Sequence, residues 1–242
     1  MPRFFIEHIA PEMELAVLTG ESAAHARVLR LRSGESVTLC DGQGTDYLAE
    51  ISCMEEKCVT LRILSHGPSQ SEPKVDCTVY MGFSKGDKLE HVIQKATELG
   101  ANRICAFPSS RCVAKYDRKS LEKKLPRWQK IAASAAEQSG RGRIPTVFAA
   151  ESYAQALENA SKADRALFFY ENEQSHTLTA ALEGEYTSVS IVTGPEGGFS
   201  EEEAQMAADA GLQICTLGKR ILRCETAPLC ALSAIMYAAG EY

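Results

Sequence analysis

Val192-Thr193-Gly194-Pro195-Glu196-Gly197-Gly198-Phe199-Ser200 is followed a short way on by Leu217-Gly218-Lys219-Arg220-Ile221-Leu222-Arg223-Cys224-Glu225-Thr226-Ala227. Each stretch leaves a short apolar run, passes through a turn that contains glycine and enters a predicted helix. Two such turns close together predict two loops at the carboxyl ends of neighbouring strands, where open α/β sheets bind their ligands. Glycine lets a backbone come close to a ligand and tolerates positive φ. Glu196, Arg220, Arg223 and Glu225 then stand at the rim of the cleft. The glycine spacing matches neither a dinucleotide fingerprint nor a P-loop, which also needs a lysine and a hydroxyl that are absent. ATP and NAD are therefore disfavoured. The bland alternative is a glycine-rich turn with no ligand, and the presence of two turns, each entering a helix, argues against it.

Working outward, strands alternate with amphipathic helices from Lys74 onward. Strands are predicted at 75–83, 102–107, 147–149, 165–170, 188–193 and 212–217. Helices are predicted at 88–99, 121–138, 153–160, 175–182, 200–211 and 226–239, with Gly100 stopping the first. Ser200 with Glu203 three residues on is a capping box. This alternation predicts a largely parallel sheet with helices on both faces. The first 65 residues read instead as a β-rich module. Its strands are expected at 3–7, 36–41, 47–51 and 57–64, with a helix at 21–31. Polar residues 66–73, with proline near both ends, form the best linker candidate. Two domains follow, 1–68 and 74–242.

A chain of 242 residues suffices for a large and a small domain. With 45% hydrophobic and 24% charged residues it has an ordinary globular composition. No apolar run has the length of a membrane span, and the first residues lack the apolar core of a signal peptide. The nine cysteines form no CxxC pair and no zinc spacing, so no metal is expected. Cys40, Cys77, Cys105 and Cys215 lie in apolar strand-like runs and read as small buried hydrophobes. Free thiols in this number suit a reducing compartment, the cytoplasm.

The net charge of −6 argues against a nucleic-acid binder, but its distribution argues back. From Arg111 to Arg143 the bases are Arg111, Lys115, Arg118, Lys119, Lys123, Lys124, Arg127, Lys130, Arg141 and Arg143, against Asp117, Glu122 and Glu137. Local potential steers a polyanion. The alternative is a solvated helix face.

The two opening strings, in this order, resemble the SPOUT methyltransferases, above all the RsmE family, which methylates N3 of a uridine in 16S ribosomal RNA. The resemblance covers nearly the whole chain and includes Arg3-Phe4-Phe5, His25-Ala26-Arg27-Val28-Leu29-Arg30-Leu31, Lys95-Ala96-Thr97-Glu98-Leu99-Gly100 and Ala135-Ala136-Glu137-Gln138-Ser139-Gly140-Arg141. It implies a SPOUT-type α/β fold with a carboxyl-terminal trefoil knot, the knot and cofactor site lying near 190–230, and a PUA-like β-barrel in front. The implied cofactor is S-adenosylmethionine, bent among the knot loops at Thr193, Gly194, Gly198, Leu217, Gly218, Leu222, Arg223, Thr226 and Ala227. The implied partners are 16S rRNA of the small ribosomal subunit and a second copy, joined through the carboxyl-terminal domain in a homodimer. No membrane and no metal are implied.

Uracil N3 is protonated at neutral pH and must lose that proton to become a nucleophile. A base can remove it, or a cation can stabilise the anion over O2, N3 and O4. Arg223, always charged, is the first candidate for the stabiliser. Glu196 and Glu225 are candidates for a base or for orienting Arg223; the plain alternatives are helix-terminus roles. For RNA the candidates are Lys123, Lys124, Arg127, Gln138 and Arg141, with Arg3, His25, Arg27 and Arg30 in the small module. His25 reads equally as a polar residue packed under its helix, and Lys95 with Glu98 as a surface ion pair. The other functions in play are a SPOUT enzyme with a different RNA target and a ribosome-assembly factor without catalysis.

Overall fold

The computed structural model describes residues 1–242. The chain separates into two units, Met1–Glu72 with Ala136–Ile144, and Pro73–Ala135 with Pro145–Tyr242.

The first unit holds β1 (Arg3–Phe5), β2 (Leu15–Thr19), α1 (Gly20–Val28), β3 (Ser36–Cys40), β4 (Thr45–Met54) and β5 (Cys58–Pro68). Its sheet order is β1-β3-β4-β5-β2; β1 runs parallel to β3 and the other pairs are antiparallel. Phe4, Leu18, Val37, Leu39, Tyr47, Ile51, Val59 and Leu61 make its core. The sequence does not announce β2, because apolar residues lie on both its faces. Ala16 and Leu18 point inward while Leu15 and Val17 stay exposed, which hides the alternation. The helix expected at 21–31 stops earlier, and Arg30 turns left-handed at φ 57°. The start of the expected linker is strand instead. His66, Gly67 and Pro68 pair with Tyr47, Asp46 and Thr45, so β5 runs on to Pro68.

The second unit comprises β6 (Asp76–Gly82), α2 (Lys88–Glu98), β7 (Arg103–Phe107), α3 (Arg118–Ser139, whose residues from Ala136 on belong to the first unit), β8 (Thr146–Ala149), α4 (Tyr153–Ala160), β9 (Arg165–Phe169), α5 (Leu178–Ala181), β10 (Ser188–Thr193), α6 (Glu201–Asp209), β11 (Gln213–Cys215) and α7 (Ala227–Ala238). Every strand pair is parallel, in the order β11-β9-β10-β6-β7-β8. Side chains alternate across a strand. Tyr80, Cys105, Phe168 and Val192 therefore share one face, where they cluster with Ala156, Leu157 and Ala160 of α4 and Ala204 and Ala207 of α6. On the opposite parity lie Val79, Ile104, Leu167 and Ile191, all buried. α2 and α7 touch each other; α2 packs on β7, and α7 on β6 and β10. The capping box at Ser200 and Glu203 is formed in full. From β6 the chain steps outward to β7 and β8 and then crosses to β9 on the other side of β10, and the turns that leave β10 and β11 carry the candidate site.

Candidate functional site

β10 ends at Thr193, whose hydroxyl donates to the Tyr80 carbonyl at 3.2 Å. That proton is used within the fold, and the residue is buried. The chain then makes a tight turn in which the Gly198 N–H donates to the Pro195 carbonyl at 3.0 Å, with Gly198 at φ 65°. Each glycine here admits a neighbour. A Cβ on Gly194 would lie 3.2 Å from the Gly198 backbone, and one on Gly197 2.9 Å from the Arg111 carbonyl. One on Gly198 would run into the Glu171 carboxylate, and one on Gly82 at the end of β6 would meet Pro195 at 2.6 Å. Phe199 pins the turn. It is 1% exposed and its ring lies 4.3 Å from Phe168, with Phe107 and Tyr153 beyond.

The second turn is built otherwise. β11 ends at Cys215, and the Gly218 N–H donates to the Thr216 hydroxyl at 3.1 Å. Gly218 has φ 96° and nothing within 4 Å of the place a Cβ would take. Lys219, Arg220, Ile221 and Arg223 are exposed, Ile221 at 87%, while Leu217 and Leu222 are half-buried. The Arg223 carbonyl accepts from the Thr226 and Ala227 N–H groups at 2.8 and 2.9 Å, which starts α7. Half-buried leucines beside an open glycine fit an apolar ring with a backbone-bound polar edge.

The rim carries a group that the sequence reading overlooks. Lys88, at the start of α2, places its ammonium 3.2 Å from Glu196 and 3.9 Å from Glu225. The Lys85 N–H also donates to Glu196 at 2.9 Å. The bond to Glu196 holds the Lys88 ammonium above its usual range, against desolvation. Burial pushes the Glu196 carboxyl up, but the Lys85 N–H and Lys88 outweigh it and hold it below the usual carboxylate range. Burial is outweighed at Glu225 too, by its own N–H, the Cys224 thiol, Lys88 and Arg223. Both glutamates are thus ionised at neutral pH and weak as proton acceptors. The buried Cys224 thiol is pushed up to about 12, first by burial and then by Glu225, and stays protonated.

The expected RNA-facing residues divide by environment. Lys123 and Gln138 are exposed on α3. The Lys124 ammonium lies 4.8 Å over the Tyr116 ring, and Arg127 pairs with Glu90 at 2.7 Å while 70% of its side chain stays exposed. In the first unit Arg27 and Arg30 are exposed. His25 lies edge-on to Phe4 at 5.7 Å and 3.4 Å from Glu137. Two arginines are committed elsewhere. Arg3 is forked to both oxygens of Asp46, one at 2.8 Å. Arg141 is only 2% exposed and meets Glu72 at 2.6 and 3.2 Å, while the same carboxylate accepts the Gly142 and Arg143 N–H groups. Arg141 therefore organises a buried loop, and the expectation that it reaches phosphate or base does not survive its burial. All nine cysteines are free, and Cys40, Cys77, Cys105 and Cys215 are buried. No group of three His, Cys, Asp or Glu side chains is placed to hold a metal, and no helix is long and apolar enough to cross a membrane.

A family profile described as an RNA methyltransferase domain matches residues 71–236, and one described as an RNA methyltransferase PUA domain matches 18–64. The Bacillus subtilis protein named ribosomal RNA small subunit methyltransferase E is 36% identical, over 98% of this chain and 96% of that one. The chain belongs to the RsmE family of RNA methyltransferases. The Synechocystis protein of the same name is 34% identical, over 94% of this chain and 75% of that one. Among solved structures, the RsmE protein of Neisseria gonorrhoeae bound to S-adenosyl methionine superposes with a TM-score of 0.89 at 34% identity, covering 98% of each chain. A putative methyltransferase of Legionella pneumophila in complex with SAM superposes at 0.86 and 31% identity, over 98% of this chain and 97% of that one. The chain has the SPOUT-type α/β fold of its family with a PUA-like amino-terminal domain.

Proposed function

We propose that this protein methylates N3 of a uridine in 16S ribosomal RNA of the small subunit, with S-adenosylmethionine as donor. The observation that carries the reading is the pair of turns: one pinned in place, the other open beside Gly218, Leu217 and Leu222, in a chain whose relative from Neisseria gonorrhoeae holds S-adenosyl methionine. The donor supplies an electrophilic methyl, which leaves sulfur for N3 as the N3 proton departs to water.

The chain's residues do the rest. Thr193, Gly194, Gly198, Leu217, Gly218, Leu222, Thr226 and Ala227 bind the donor, chiefly through backbone and apolar contact. Arg223 stabilises the charge that develops over the uracil ring. Glu196 and Glu225, paired with Lys88, orient the rim and do not act as the base. Lys123, Lys124, Arg127 and Gln138 on α3 meet RNA phosphates, as do Arg27 and Arg30 in the small module. A homodimer forms through the carboxyl-terminal domain. Cys230 and Tyr237 of α7 are exposed and Ser233 and Ala234 half-buried, so one face of this apolar helix is left for a second copy. The setting is the cytoplasm, where free thiols persist.

Nucleoside mass spectrometry tests the reading. Small subunits or 16S rRNA from cells lacking the gene are incubated with the protein and donor. A gain of 3-methyluridine is expected. Methylation at another atom would assign a different target, and donor binding without product would make the protein an assembly factor.

A further inference from the structure

We infer that Lys88 is a positioning residue of the methyl-transfer site, tying the first turn to the second by pairing with Glu196 and Glu225. The inference rests on the function proposed above. Three separate pieces of chain converge on this ammonium: the start of α2, the turn after β10 and the turn into α7. A compact ammonium with three donors suits two carboxylates from different loops, where the planar fork of arginine favours one.

The position is not one that helix stability would choose. Lys88 is the first residue of α2, where the helix dipole disfavours a cation, and Asp87 before it makes no side-chain cap. A lysine serving only solubility gains nothing there. The helix itself is well anchored, because Leu89, Val92, Ile93 and Ala96 are buried. The ammonium therefore projects from a fixed base. Its first partner, Glu196, is held a second time by the Lys85 N–H. Its other partner, Glu225, stands two residues after Arg223, and the Arg223 carbonyl starts α7. Fixing Glu225 fixes the short turn that presents Arg223. The Lys88 contact thus sets the distance between the pinned turn and the arginine, and a displacement of about 1 Å at such a place costs on the order of 10²-fold in rate.

Single-turnover methyl transfer at saturating donor and RNA, with a thermal melt on each variant, tests this. Lys88→Met is expected to lose about 10²-fold in rate with little change in melting temperature and in RNA affinity. Lys88→Arg is expected to recover only part of the rate, because its planar fork favours one carboxylate of the two. Adding Glu196→Gln and Glu225→Gln to Lys88→Met is expected not to restore it, since removing the negative charges does not rebuild the tie. A wild-type rate in Lys88→Met overturns the inference. So does recovery in the triple variant, which would make Lys88 a mere neutraliser. A melting temperature that collapses in both Lys88→Met and Lys88→Gln would assign the pairs to stability and overturn it as well. Failure of the unmodified protein to bind donor would instead remove the functional reading itself.

Discussion

In the turn at 194–199 the space beside every glycine is taken, at Gly194 by the turn itself and at Gly197 and Gly198 by Arg111 and Glu171, whereas in the turn at 217–226 the space beside Gly218 is open. The first turn is closed by its own hydrogen bond and pinned by Phe199. The second is closed at its start by the Thr216 hydroxyl, which accepts from the Gly218 N–H, and leaves Lys219, Arg220, Ile221 and Arg223 exposed. The same residue type serves two ends. Glycines in the first turn let the protein pack against itself, and the glycine in the second leaves room for something else. A glycine motif is therefore not a uniform ligand signature, and its members differ in what a substitution would break.

Phe199→Ala should act most strongly. Removing a fully buried aromatic ring typically costs about 3–5 kcal/mol, so chemical denaturation should show a loss of that order and the donor site should weaken with it. A loss under about 1 kcal/mol would mean that the first turn is not pinned by this ring. A smaller contrast follows at the turn tips. Gly197→Ala drives a methyl against the Arg111 carbonyl and should cost about 1–3 kcal/mol without any ligand present. Ile221→Ser, in the open turn, should stay within about 0.5 kcal/mol. Equal costs at the two sites would erase the distinction. Valine at Gly198 is a poor probe of the cofactor, because it would strike Glu171 and strain a left-handed residue before any ligand arrived.

The period of the hydrophobic pattern was enough to place the parallel sheet and most helices of the second unit, because its strands are buried and its helices one-sided. It failed at β2, whose two apolar faces conceal a period of two. It failed at α5, expected over 175–182 and formed only at Leu178–Ala181. A knot concerns how a chain passes through its own loops, which no periodicity records; that expectation came from resemblance alone. The two glycine turns and Arg223 stand out in the sequence because the motif is local. Lys88 does not, since its partner Glu196 is 108 residues away and a lysine near a helix start looks like any solvated charge. Arg141 misled for the same reason. Its partner Glu72 lies 69 residues earlier, so a residue that reads as a free cation is a buried one.

The most direct test is the single-turnover rate of Arg223→Ala and Arg223→Lys, measured at saturating donor beside Glu196→Ala and Glu225→Ala across pH. If Arg223 carries the charge that develops on uracil, both arginine variants should fall by about 10²–10³-fold with near-normal RNA affinity. Lysine should not rescue, because it lacks the planar fork. The glutamate variants should lose less and keep the shape of the pH profile around and above neutral pH, since both carboxyls are held below their usual range. A wild-type rate in Arg223→Ala, or a pH profile that changes shape in that range when either glutamate is removed, would contradict the account.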